Sequence, residues 1–145
     1  MTTLYTIGYQ GQTIGSFVDV LLAHGVAQII DVRQLPFSRK PDFNKKRLTA
    51  HLAAADIGYT HLAAFGTPKP LRDELRRDHD YPTFFATMAA LIAEQPDALA
   101  AALDLVQAQP SALLCFEANP HECHRLAVAD ALVQRMPALQ VVHLR

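Results

Sequence analysis

Ala112-Leu-Leu-Cys-Phe-Glu117, running directly into Ala118-Asn-Pro-His-Glu-Cys-His-Arg125, decides the fold. The first half is a short apolar run that reads as a buried strand. The second carries a helix-start signal, with Asn119 as N-cap, Pro120 at the first helical position and Glu122 three residues beyond the cap. A strand feeding straight into a helix is the unit of an α/β sheet. Both cysteines of the chain, two histidines, two glutamates and an arginine fall within the eleven residues 115–125. In open α/β sheets ligands bind at the carboxyl ends of the strands, where a helix N-terminus offers free N–H groups and the positive end of its dipole.

The same alternation extends outward. Strands are expected at Leu4–Gly8, Gln28–Arg33, Gly58–Leu62, Ala112–Glu117 and Gln140–Leu144, and helices at Thr13–His24, Asn44–Ala55 and 120–136. Gly25 suits the residue after the first helix. Residues 68–110, interrupted by Pro82, Pro96 and Pro110, read as two or three helices without a strand. The pattern predicts one α/β domain over 1–145, a single three-layer unit whose mostly parallel sheet of about five strands carries helices on both faces. With 145 residues, half of them apolar, the chain suits one compact core. A net charge of −1 gives no global electrostatic footprint, so any nucleic-acid affinity has to come from a local patch. Two cysteines make no disulfide framework and no signal region is visible, so a cytoplasmic location is expected. No apolar run of about 18 residues occurs, so no membrane contact is expected.

A helical wheel started at Pro120 puts Leu126, Ala129, Leu132, Val133 and Met136 on one apolar stripe, which Glu122 and Arg125 continue inward. Cys123 then lies on the flank and His124 further round. A cysteine near a helix N-terminus and an arginine is in the setting that makes thiolates reactive, and Cys115 and Cys123 both qualify. They also qualify as a redox pair if the turn brings them close. Cys115, His121, Cys123 and His124 are plausible zinc ligands, but their spacing follows no standard pattern, and no metal set is assigned. The plain alternative is a buried core cysteine beside a structural ion pair of Glu117 and Arg125.

A second cluster, Arg33, Arg39, Lys40, Lys45, Lys46 and Arg47, has only Asp42 to offset it. Cations after Asn44 oppose the macrodipole of their own helix. A bound phosphate would relieve that repulsion, and Phe37 and Phe43 offer stacking surface for a base or sugar. A solvated charged face is the simpler reading. Asp31 and Arg33 share one face near the end of the second strand, where Asp31 either takes part in chemistry or pairs with an arginine. Tyr9 reaches the same edge, and His61 there reads as structural. His24, His51, His79 and His143 show no partner.

Thr6-Ile-Gly-Tyr-Gln-Gly11, Asp31-Val-Arg33 with Pro36 and Ser38, Phe43-Asn44, Gly66-Thr-Pro-Lys69 with Leu71-Arg-Asp73, and Leu114-Cys-Phe-Glu117 with Pro120 and Cys123-His-Arg125 together resemble the domain of unknown function 488 family over nearly the whole chain. The resemblance implies a small cytoplasmic α/β domain without an established general activity. Gln10 stands where a glutamate or serine is expected in many relatives, a departure that argues against a proton-transfer role there. Asp31-Val-Arg33 at a strand end also resembles rhodaneses, but Cys115 and Arg125 are ten positions apart around a proline. Sulfur transfer and phosphatase chemistry are therefore not carried over.

Three functional expectations follow. The first is an enzyme-like anion pocket at the sheet's carboxyl edge for a phosphorylated or nucleotide-like small molecule. Its candidate catalytic residues are Cys115, Glu117, Cys123, His124 and Asp31. Tyr9, Arg33, Arg39, Phe43, Asn44, Lys45 and Arg125 are the candidate substrate contacts. The second is a nucleic-acid or partner-binding module working through the 33–47 loop without catalysis. The third is a zinc-dependent version of the same pocket. No cofactor and no oligomeric state is specified.

Overall fold

Side chains of successive strand residues point to opposite faces, and in this chain both faces are apolar. Leu113 and Cys115 pack into one core cluster and Ala112 and Leu114 into the other. The computed structural model describes residues 2–145. Its strands are β1 (Thr3–Gly8), β2 (Gln28–Asp31), β3 (Gly58–His61), β4 (Ser111–Cys115) and β5 (Gln140–Leu144). They form one sheet in the order β3-β2-β4-β1-β5, with every pairing parallel.

The helices are α1 (Ile14–Ala23), α2 (Lys45–Ala54), α3 (Lys69–Asp78), α4 (Tyr81–Ala93), α5 (Pro96–Ala108) and α6 (Arg125–Arg135). Phe17 and Leu21 of α1 and Leu48 and Leu52 of α2, each pair four residues apart, cover one face of the sheet. Phe84, Met88 and Ile92 of α4, Leu99, Ala102 and Val106 of α5, and Val128, Ala129 and Leu132 of α6 cover the other. A capping box between Thr13 and Ser16 starts α1, and Gly25, at φ 70°, follows its end. Pro70, Pro82 and Pro96 open α3, α4 and α5 from the first turn, where a missing N–H costs nothing. The expected three layers and five strands are present.

Connections after β1 and β2 lead to the α1/α2 face, whereas the connection after β4, which lies between those strands, leads to α6 on the opposite face. Loops diverging this way open a crevice at the carboxyl end of β4. Two glycines let the backbone close around it. A Cβ on Gly8 would overlap the Glu117 carbonyl, and one on Gly66 would overlap the Gln34 backbone.

The last helix begins later than expected. Asn119 does cap, its Oδ1 accepting the His121 N–H at 3.0 Å, but what it caps is a 3-10 turn at Pro120–Glu122. Cys123 is then extended, at φ −136° and ψ 140°, and α6 starts at Arg125. A wheel phased from Pro120 is therefore out of register. Glu122 is exposed, while Cys123 and His124 turn inward and are buried, which corrects the expected flank and outer positions.

Candidate active site

At the crevice, β4 ends on Cys115 and the loop before α6 brings His124 beside it. The His124 Nε2 lies 2.7 Å from the Val32 carbonyl oxygen, which can only accept, so Nε2 carries the hydrogen. In the neutral ring Nδ1 is thus a bare lone pair, and it faces two thiols, with Cys115 Sγ at 3.5 Å and Cys123 Sγ at 4.0 Å. Glu117 Oε2 lies 3.6 Å from Cys115 Sγ. A thiol, an imidazole and a third group that fixes the tautomer form the arrangement of an activated nucleophile.

The two thiols differ in environment. Burial above all, together with the neighbouring Cys115, holds the Cys123 thiol well above its ordinary pKa against the opposing pull of His124. Cys123 therefore stays protonated and sits in the core, whereas Cys115 borders the cavity. Burial of the His124 ring opposes its protonation, but the Cys123 thiol, the Val32 carbonyl and the Glu117 carboxylate outweigh it and raise its pKa.

A cavity of about 840 Å³ opens over this pair. Cys115, Glu117 and His124 lie on its lining with Tyr9 and Arg33, and the 34–40 loop adds Arg39 and Lys40. Leu35, Phe37 and Phe116 on its border are exposed. The remaining wall was not anticipated as part of a site. It consists of Thr67, of Arg72 and Arg76 on α3, and of His79 and Tyr81 at the α3–α4 junction. Arg72 Nη1 donates to Gln34 Oε1 at 2.9 Å and to the Thr67 carbonyl at 3.0 Å, tying α3 to the β2 loop. Thr67 Oγ1 is the one buried side-chain polar atom without a hydrogen-bond partner among the described residues, and Thr67 lines this cavity. An unsatisfied buried hydroxyl at a cavity is a group suited to a ligand. The Gly66-Thr-Pro-Lys69 and Leu71-Arg-Asp73 segments were visible signals, but periodicity alone places Arg72 and Arg76 on an ordinary helix surface.

Several expected contacts lie elsewhere. Asp31 is fully buried on the α1/α2 face, where it accepts from Arg33 Nε at 2.9 Å and Nη2 at 2.7 Å and from the Tyr59 hydroxyl at 2.5 Å. Burial works against the Arg33 charge, but Asp31 outweighs it and keeps the guanidinium firmly protonated. Burial and then the bond to Asp31 likewise hold the Tyr59 phenol protonated above its ordinary range. Arg33 Nη1 also donates to the Phe43 carbonyl at 2.8 Å, so its donors are largely engaged within the fold. Phe43 is a core ring stacked on Tyr9 at 4.5 Å, not a surface for a base.

Asn44 Oδ1 accepts the Ser38 N–H and shapes the loop, and neither Asn44 nor Lys45 lines the cavity. The apparent conflict of Lys45, Lys46 and Arg47 with their helix dipole is offset by Asp42, which pairs with Arg47 at 3.0 Å and with His51 at 3.0 Å. Arg125 is completely buried and is not on the cavity lining. Its guanidinium donates to Thr6 Oγ1 at 3.2 Å and to the carbonyls of Glu117 and Ala118, fixing the loop after β4. Thr6 Oγ1 in turn shares a hydrogen bond with His143 Nδ1 at 2.6 Å. The only cluster of three His, Cys or acidic side chains spaced for a metal among the described residues is Cys115, Cys123 and His124; His121, one of the four zinc ligands read from the sequence, is exposed.

A doubly wound parallel sheet with a cysteine–histidine cluster at its carboxyl edge defines a three-layer α/β protein built around one edge crevice. The chain belongs to the family described as Domain of unknown function DUF488, whose model matches residues 13–132. No curated protein and no solved structure gives a significant match to the chain. No helix among the described residues is long and apolar enough to cross a membrane.

Proposed function

We propose that the protein is an enzyme in which the Cys115 thiolate attacks a small substrate whose phosphoryl or nucleotide-like anionic group is held by Arg39, Arg72 and Arg76. The observation that carries this reading is the 3.5 Å approach of Cys115 Sγ to the lone pair of His124 Nδ1 at the edge of a cavity bordered by these arginines. The thiol proton passes to Nδ1, sulfur bonds to the electrophilic centre, and the leaving group recovers the proton from the imidazolium. Tyr9 and Phe116, edge to face at 5.3 Å, and the Thr67 hydroxyl supply the apolar and polar parts of the substrate surface.

Alkylation of metal-free protein, read site by site by mass spectrometry, tests the proposal. A free thiolate repels iodoacetate and reacts faster with iodoacetamide; at Cys115 the order is expected to reverse and the preference to fade as salt screens the arginines. Cys115→Ser abolishes the reaction, His124→Asn slows it by about 10²-fold or more, and Arg72→Met with Arg76→Met restores the free-thiol order. A Cys115 that reacts no faster than glutathione, with iodoacetamide still preferred, overturns the reading.

A further inference from the structure

Thiol chemistry at Cys115 leaves Cys123 without a task, although it is 1 % exposed and turned toward the same imidazole. Cys115 Sγ, Cys123 Sγ and a nitrogen of His124 all lie within 4.8 Å of one another. Tetrahedral zinc, with Zn–S near 2.3 Å and Zn–N near 2.0–2.1 Å, needs sulfur–nitrogen separations of about 3.5 Å and a sulfur–sulfur separation of about 3.8 Å. The observed sulfur–nitrogen distances are 3.5 and 4.0 Å. Side-chain rotations of less than about 1 Å would complete the geometry.

We propose that Cys115 Sγ, Cys123 Sγ and His124 Nδ1 form a binding site for one Zn²⁺ ion, with its fourth position open to the cavity. Two features beyond proximity point to a metal. The Nε2–H bond to the Val32 carbonyl, 2.7 Å long, is the outer support that ligating histidines use to aim the opposite nitrogen. The cluster also contains two thiols, whose deprotonation supplies two negative charges to neutralise a divalent cation at a buried site, and thiolates favour zinc over magnesium or calcium. Glu117 Oε2, 3.6 Å from Cys115 Sγ, stands where it can contact the fourth ligand, water or substrate. Loading releases two thiol protons per ion, Zn²⁺ + 2 RSH → Zn(SR)₂ + 2 H⁺, with the imidazole binding through its existing lone pair. Coordination draws charge from the Cys115 sulfur and takes up the His124 Nδ1 lone pair that would receive its proton, so loading with the ion slows alkylation of Cys115. The metal site does not depend on the thiol chemistry.

The experiment uses tag-free, reduced full-length protein, titrated with Zn²⁺ against a chromophoric chelator and with Co²⁺ followed by absorption. Expected are one Zn²⁺ per chain, two protons released, a thiolate-to-cobalt charge-transfer band with tetrahedral d–d bands, and protection of Cys115 from iodoacetate. Cys123→Ser, which removes one of the two thiolate ligands, is expected to weaken Zn²⁺ binding by about a hundredfold or more. A cobalt spectrum without thiolate charge transfer, or Zn²⁺ affinity unchanged in Cys123→Ser, overturns the metal site. The cobalt spectrum of the wild-type protein decides the matter if that variant does not fold. Failure of metal-free Cys115 to react overturns the thiol enzyme alone.

Discussion

At the residue scale, neighbouring charged side chains at the crevice have different tasks because their donors and acceptors are used differently. Asp31 accepts both arms of Arg33 and the Tyr59 hydroxyl with no exposed surface, so its geometry is that of a strut beneath the β2 loop. Asp31→Ala is expected to destabilise the protein by about 3–5 kcal/mol in urea unfolding, because it leaves the Arg33 guanidinium buried and uncompensated. Replacing both partners with apolar residues, Asp31→Leu with Arg33→Met, should cost less than Asp31→Ala alone, since no orphaned charge remains. A single-substitution loss under about 1 kcal/mol would mean that the pair is not desolvated as the geometry implies. From the sequence, Asp31 is open to chemistry and to pairing with an arginine. The choice depended on Tyr59, which approaches from β3 and has no sequence signature as a partner.

At the element scale, the close approach of β1 to the loop after β4 holds the site together. Gly8 pairs with Cys115 across the ladder, and any Cβ there would collide with the Glu117 carbonyl that Arg125 grips from the other side. Gly8→Ala is therefore expected to cost about 1–3 kcal/mol and to change the Cys115 alkylation rate by displacing the loop. Gly15→Ala, in the exposed first turn of α1 with only ordinary contact at Thr13, should instead be neutral or stabilising by up to about 1 kcal/mol. Equal effects of the two substitutions would count against the close approach. Strand positions were legible because their apolar runs and bounding turns are local. The start of α6 was not, because an Asn-Pro cap signals helical turns without saying whether they are 3-10 or α. The extended Cys123 between those turns reset the phase and reversed the inferred burial of Glu122, Cys123 and His124.

At the scale of the whole molecule, the sheet divides the anticipated site. Asp31 and Phe43 lie with the α1/α2 layer, and Cys115, Cys123 and His124 lie with the α4–α6 layer. Alternation along each strand makes that division readable in principle, but the arrival of α3 over the crevice, with Arg72 and Arg76, depends on tertiary packing alone. The thiol–imidazole cluster also links the crevice to global stability. Burial holds Cys123 protonated in the native state, whereas the unfolded chain loses that proton near the ordinary thiol value of about 8.5. Below that value both states bind the proton and the native state loses nothing. Above it the unfolded state binds fewer protons than the native, so stability falls as pH rises, at up to about 1.4 kcal/mol per pH unit for this one group. His124, with its raised pKa, acts in the same direction: its contribution is complete below the unfolded histidine value of about 6.5 and is lost as pH rises through the native one. Urea unfolding of reduced, metal-free protein between pH 7 and 10 should therefore show a progressive loss of stability that is shallower in Cys123→Ala. An identical slope in wild type and variant would show that Cys123 ionises as readily in the native protein as in the unfolded chain.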